Sequence, residues 1–257
     1  MNIFTAIGQF FTNWGAKLAS TFLEDDRYMM LVDGLRNTAI ITLGALCIGI
    51  VIGALVAIIK YCGEGSRAMK PLCVLCDIYT TVIRGIPVVV LLLIFYFVIM
   101  QSANGITVGI VTFGINSGAY VAELMRSGIA AVDPGQMEGA KAIGMTHFQA
   151  MINVILPQAF RNILPQIGNN LIINIKDTSV LSVISIVDLF FVHKSVSGAL
   201  YTYFESATIV MVIYLTMTLI TSKLLRLWES KMDGSENYEL VDMMDIGTQL
   251  GSKQRKA

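Results

Sequence analysis

The sequence predicts an all-α integral membrane protein, and three observations carry that prediction. Apolar residues make up 55% of the 257-residue chain and charged residues only 14%, against about 25% charged in soluble domains. Mean hydropathy is +0.69. Uncharged stretches recur at 37–59 and 85–122, and a helix crossing a bilayer core needs about 20 apolar residues. Too few charges remain to coat a water-facing globule, which argues against a cytosolic enzyme and against a disordered chain. Net charge is 0, so no global basic field points to nucleic acid.

Three regions follow in order: an N-terminal segment over 1–30, a membrane domain over 31–230 and a polar tail over 231–257. In the first, Ile3, Phe4, Ile7, Phe10, Phe11, Trp14, Leu18 and Phe22 recur every three or four residues. That is one stripe of an amphipathic helix, expected to lie flat on the outer leaflet with Trp14 and the phenylalanines dipping in. The first positive charge is Lys17, so residues 1–22 do not read as a secretory signal peptide. The acidic run Glu24, Asp25, Asp26 should stay in water.

Residues 37–59 form the first span. The stretch 85–122 is too long for one crossing, and the polar patch QSANG at 101–105 divides it. The second span is then about 72–100, including Arg84, and the third about 106–125. A more polar fourth candidate covers 159–175 and a fifth 201–222. Basic residues set the sides. Lys60, Arg67, Lys70, Arg126, Lys141, Arg161, Lys223, Arg226 and Lys231 fall on one side, against Lys17, Arg27, Arg36 and Lys194 on the other. The richer side should be cytoplasmic, with the N-terminus outside and the C-terminus inside.

Within the first span, Gly49 and Gly53 form GxxxG, a close-packing motif that is frequent by chance and weak evidence for a dimer. Cys47, Cys62, Cys73 and Cys76 give no disulfide framework. The CxxC at 73–76 has no second CxxC or His pair to complete a zinc site. His147 and His193 are isolated and fit no metal spacing.

The segment 131–158, AVDPGQMEGAKAIGMTHFQAMINVILPQ, reads as two short helices. Asp133 can cap the first, Pro134 suits its first turn and Gln136 has capping-box spacing. Gly144 breaks it, and Thr146 with Gln149 starts the second. A plain connection between spans needs only a few residues, so a structured hairpin suggests a docking surface. Within it, Glu138, Gly139, Ala140, Gly144, Ile155, Leu156 and Pro157 resemble the EAA loop of permease subunits of ATP-driven (ABC) importers. RGIPVVVLLLIFYF at 84–97, GAYVAELMRSGI at 118–129 and KDTSVLSVISIVDL at 176–189 are similar to the polar amino-acid branch that serves histidine, glutamine or arginine. Gly139 stands where many members have Ala, which permits the same close packing. RGIP replaces the commoner RGTP and removes a hydroxyl at Ile86.

The resemblance spans about 30–230. It implies a type I importer permease fold with five crossings, paired with a second permease of the same or another kind. It also implies two cytoplasmic ATPases and an external substrate-binding protein, in a bacterial inner membrane. The helix at Glu138–Ile143 would be the coupling helix, with Glu138, Gly139, Ala140 and Gly144 carrying ATPase contact. No GxxxxGK[ST] phosphate loop occurs here, so no cofactor is expected on this chain and ATP-Mg belongs to the partner ATPase. The rival function is a self-sufficient ion-coupled carrier or channel, but carriers commonly show paired repeats and none is evident. An intramembrane enzyme would need a nucleophile or metal constellation that the sequence lacks.

Charges within the membrane need a partner or an aqueous path. Arg84 and Glu123 either pair with each other or snorkel separately to headgroups. Lys176 and Asp177 follow the Asn-rich fourth candidate and precede a short uncharged stretch beginning at Thr178 and Ser179. Two readings stand for these four residues: they line the substrate pathway, or a Lys176–Asp177 salt bridge stabilises a bend.

Overall fold

The computed structural model describes residues 3–63 and 67–232; these are all-helical, without strands. The tail expected at the C-terminus lies outside the described residues beyond Met232.

Helix α1 (Ile3–Leu23) forms where the apolar stripe predicts it. It ends in a tight corner, with Asp25 and Asp26 at φ of 55° and 53°. Arg27 closes the corner by donating to the Thr21 carbonyl at 3.1 Å and pairing with Asp25. Two members of the stripe face protein as well as the expected lipid. The Trp14 ring lies 5.8 Å from Phe204, and Phe22 is buried against Val192 and Val196. Large aromatic faces gain as much from neighbouring helices as from lipid. The expected contacts of Phe4, Phe10 and Phe11 fall on side chains outside the described residues.

Helix α2 (Tyr28–Gly63) runs for 36 residues, about 54 Å at 1.5 Å per residue, so it overshoots the expected 37–59 at both ends. Its main partner is α5 (Gly105–Ala130), which starts at Asn104, whose side chain accepts from the Ile106 N–H at 2.9 Å. Glycines on both helices set their approach. A Cβ added at Gly49 would stand 2.7 Å from Ser117 Cβ, and one at Gly53 would stand 2.6 Å from Val121 Cγ1. In return, a Cβ at Gly114 would stand 2.7 Å from Ile48 Cγ2 and one at Gly118 2.8 Å from Ile52 Cβ. The GxxxG at 49–53 therefore packs within the chain, against a second GxxxG at 114–118.

The stretch 72–100 is not one straight crossing. Helix α3 (Lys70–Gly85) and helix α4 (Val88–Ile94), prolonged by a wide π turn over Phe95–Ile99, meet at a 107° bend. Pro87 is the cause. It has no N–H to continue the ladder, and it pushes Ile86 to extended backbone (φ −97°, ψ 131°). Hydropathy registers apolar length and is blind to such a bend.

Helix α6 (Pro134–Ala142) is capped by Asp133 Oδ1, which accepts from the Gly135 N–H at 2.8 Å. Gln136 does not complete the expected box; its side chain faces Gln158 at 3.4 Å. Gly144 turns the chain at φ 89°, a left-handed value that favours glycine. Thr146 and Gln149 cap each other reciprocally at 2.9 and 3.2 Å and open α7 (His147–Ala150). A π turn over Met151–Ile155 leads straight into α8 (Leu156–Asp177). The second helix of the hairpin and the fourth candidate span are thus one continuous rod.

A 3-10 turn over Thr178–Ile184 follows, then α9 (Leu189–Leu200) and α10 (Tyr203–Met232). Asp188 caps α9 by accepting from the Phe190 and Phe191 N–H groups at 3.0 and 2.9 Å, and the Tyr214 hydroxyl donates to it at 3.1 Å. Among the described residues, α2, α5 and α10 are long and apolar enough to cross a membrane, and the bent α3–α4 pair adds a fourth where it is counted as one broken span. Helix α8 has 22 residues but carries Arg161, Lys176 and Asp177; it packs between α5 and α10.

Candidate functional site

Two polar stripes and one arginine converge where α3 breaks. On α8, Asn170, Asn174 and Asp177 are spaced i, i+4, i+7, which places them on one face. On α5, Asn116, Tyr120 and Glu123 repeat the spacing. Arg84 stands in the last turn of α3. All of these except Glu123, together with Gly85, Pro87 and Ile173, line a cavity of about 420 Å³, within the range of small-molecule sites. Because α3 stops at Gly85 and α4 turns away, no helix fills this space.

The walls are held by their own hydrogen bonds. Asn174 is buried; its amide donates to Ser117 Oγ at 2.7 Å and approaches Asn170 Oδ1 at 3.5 Å. Tyr79, at mid-α3, donates to the Ile115 carbonyl at 2.6 Å and pins α3 to α5. The Arg84 guanidinium carbon lies 5.3 Å from the Tyr120 ring centroid, in cation–π range.

Arg84 and Glu123 belong to a five-residue charge network. Arg84 Nη1 stands 4.0 Å from Glu123 Oε2, the longest contact of the group. Glu123 has nearer partners in Arg126 Nη2 at 2.9 Å and Lys60 Nζ at 3.6 Å. Lys60 also meets Asp77 Oδ1 at 2.7 Å. Arg84 is thereby only loosely tied and keeps its guanidinium at the cavity wall.

The other expected pair separates. Lys176 is exposed, whereas Asp177 is half-buried and lines the cavity. No Lys176–Asp177 ion pair is made among the described residues. Neighbours on a helix point about 100° apart, so adjacency in sequence does not bring their charges together. The Thr178 hydroxyl is buried and donates to the Ile175 carbonyl at 2.7 Å, and neither Thr178 nor Ser179 lines the cavity. The sequence reading passed over Asn116, Ser117 and Tyr120. The signal was present in the i, i+4, i+7 recurrence of polar residues within GINSGAYVAE.

The hairpin residues stand apart from the cavity. Glu138 and Gly139 are exposed on α6, while Ala140 is buried. Gly139 and Gly144 have open space where a Cβ would be. Ile143 and Phe148 are 76% and 72% exposed, leaving an apolar surface on the outer side of the hairpin. Its inner side packs Val132 and Met137 against Met151, Ile155 and Ala159.

The chain matches the family described as "binding-protein-dependent transport system inner membrane component" over residues 49–234. It is 34% identical over 210 residues to a putative glutamine transport system permease of Rickettsia bellii, covering 80% of this chain and 94% of that one. Against the glutamine transport system permease of Escherichia coli it is 34% identical over 208 residues, covering 79% and 93%. Against an arginine transport system permease of Bacillus subtilis it is 32% identical over 210 residues, covering 80% and 94%. Among solved structures, an amino acid ABC transporter with histidines aligns at a TM-score of 0.75 and 41% identity, over 82% of this chain and 98% of that chain. A methionine ABC transporter in an inward-facing conformation shares the fold at a TM-score of 0.64 and 21% identity, over 81% and 97%.

Proposed function

Since the chain belongs to the family of binding-protein-dependent transport system inner membrane components, we propose that the cavity at the α3 break is where its amino-acid cargo is held in transit. The protein is a permease subunit of an ATP-driven amino-acid importer and an integral inner membrane protein. The observation that carries the reading is the placement of Arg84 and Asp177 on one polar cavity. A free amino acid bears a carboxylate and an ammonium. Arg84 suits the first and Asp177 the second, through charge-assisted hydrogen bonds. Asn116 and Asn170 supply neutral donors and acceptors suited to a polar side chain such as those of glutamine or arginine.

Two cytoplasmic ATPases holding ATP-Mg, a second permease and an external binding protein complete the machine. Five crossings follow if α2, the α3–α4 pair, α5, α8 and α10 each traverse the bilayer, with the N-terminus outside. Helix α6 is then cytoplasmic and seats in the ATPase through Glu138, Gly139 and the turn at Gly144. Its motion reaches the cavity by a short mechanical route. It passes from Val132 and Met137 to Met151 and Ile155, and from there along α8 to Asn174 and Asp177.

Uptake into proteoliposomes holding the assembled complex tests this reading. Asp177→Asn preserves shape and should spare assembly while raising the KM for a panel of polar amino acids about tenfold or more, the loss of one charge-assisted bond. Unchanged KM across the panel in a well-assembled variant would remove Asp177 from the substrate path.

A further inference from the structure

We propose that this chain binds an anionic phospholipid where α2, α5 and the π turn before α8 meet, phosphate in a basic pocket and acyl chain in an adjoining apolar groove. The pocket has about 480 Å³ and is lined by Lys60, Asp77, Arg126 and Cys73 among others. The groove has about 350 Å³ and presents no polar surface at all; Ile58, Phe148, Ile152 and Phe160 form its outer rim. Ala57, Tyr61 and Ile129 line both, so the two spaces are continuous. Tyr61 stacks at 11° on His147 and its hydroxyl meets His147 Nε2, which ties the shared wall to the start of α7.

The charges favour a single negative charge. Lys60 and Arg126 line the pocket against Asp77, while Glu123 lies outside that lining and is shared with Arg84 of the neighbouring cavity, so the lining itself has one positive charge over. Lys60 contacts two carboxylates with three N–H donors available. Arg126 uses Nε and Nη2 on Glu123 at 3.1 and 2.9 Å, and its side chain is 56% exposed, leaving Nη1 for a further acceptor. A phosphodiester supplies one negative charge and several acceptor oxygens. The site lies at the end of α2 and α5 that carries α6, where a headgroup and a chain are available together. A free anion would use the pocket and leave the groove without purpose. A hydrated ligand would not enter a groove without polar partners.

The test uses the assembled transporter with the full chain. Native mass spectrometry after detergent extraction should find phosphatidylglycerol retained in preference to phosphatidylcholine. Arg126→Gln should lower that retention about fivefold, the worth of one cation at a membrane surface. Ala57→Trp fills the junction without touching any charge and should lower it comparably in a complex that remains monodisperse on gel filtration. If Arg126→Gln does not assemble, Ala57→Trp and the comparison of the two lipids decide the matter. Equal retention of the two lipids would overturn the proposal, as would wild-type retention in Ala57→Trp. Release of bound lipid by millimolar inorganic phosphate would show an anion pocket alone and would also overturn it.

Discussion

The α2–α5 pair and the wall formed by α3, α4 and α8 lie side by side and are built on opposite principles. The pair is unbroken, and four glycines bring its backbones together. The wall contains a proline break, a 107° bend and a stripe of asparagines ending in a carboxylate. Close packing leaves the first region a single arrangement. The second region leaves a cavity and keeps two opposite charges at its edge. A transporter needs both: a frame that does not deform and a face that can bind and release.

Gly53→Leu attacks the frame and should have the largest effect. The first added carbon would already stand 2.6 Å from Val121 and 2.9 Å from the Ala122 backbone nitrogen, and backbone has little room to yield. Overpacking costs about 1–3 kcal/mol, more when backbone must move. The expected outcome is loss of monodisperse protein on gel filtration, with a lowered Tm in any that remains. A normal Tm would show that the frame is softer than its geometry implies.

Arg84→Gln attacks the wall instead and should reverse the pattern. Glu123 keeps Arg126 and Lys60 as partners, so assembly and Tm should hold. Uptake KM should rise about tenfold, in line with a lost bond to a charged group. A drop in Tm with unchanged KM would make Arg84 part of the frame.

Gly144→Trp tests the hairpin, which belongs to neither region. Among the described residues nothing beyond its chain neighbours lies within 4 Å of the added Cβ, but φ is 89°, so local strain of about 1–2 kcal/mol is expected. Insertion should survive, while ATPase association and substrate-stimulated hydrolysis in the assembled complex fall. Wild-type association would mean that the outer face of the hairpin is not an ATPase contact.

The smallest effect is expected at His193 on α9. Its Nδ1 meets Ser206 Oγ at 2.8 Å, between the rings of Phe190 and Tyr203. Burial holds this imidazole below its usual range. The unfolded chain therefore takes up a proton first, near pH 6.5. Stability should be full above that pH and decline as pH falls toward the folded value. Thermal unfolding between pH 7.5 and 5.5 reads this, and His193→Gln should flatten the decline.

Local rules were enough for several features. The Asp133 cap, the turn at Gly144 and the Thr146–Gln149 box depend on residues within four positions of each other, and all three are in the structure. The first span, the division at 101–105 and the family resemblance were equally legible, because apolar length and short motifs are properties of contiguous sequence. Other features depend on direction and distance in space. Pro87 announces a break but does not say how far α4 swings away. Lys176 and Asp177 are adjacent in the chain and diverge on the helix, while Arg84 and Asp177, 93 positions apart by their numbering, come to one cavity. Nor could the stripe of α1 reveal that Trp14 and Phe22 rest on later helices, since lipid and protein reward an apolar face alike. The sequence by itself determined that the chain is helical, how the hairpin is turned and capped at Asp133, Gly144 and Thr146, and that it belongs in a membrane. Only the tertiary structure decided which polar residues meet, because side-chain direction and helix packing are set by partners remote in the chain.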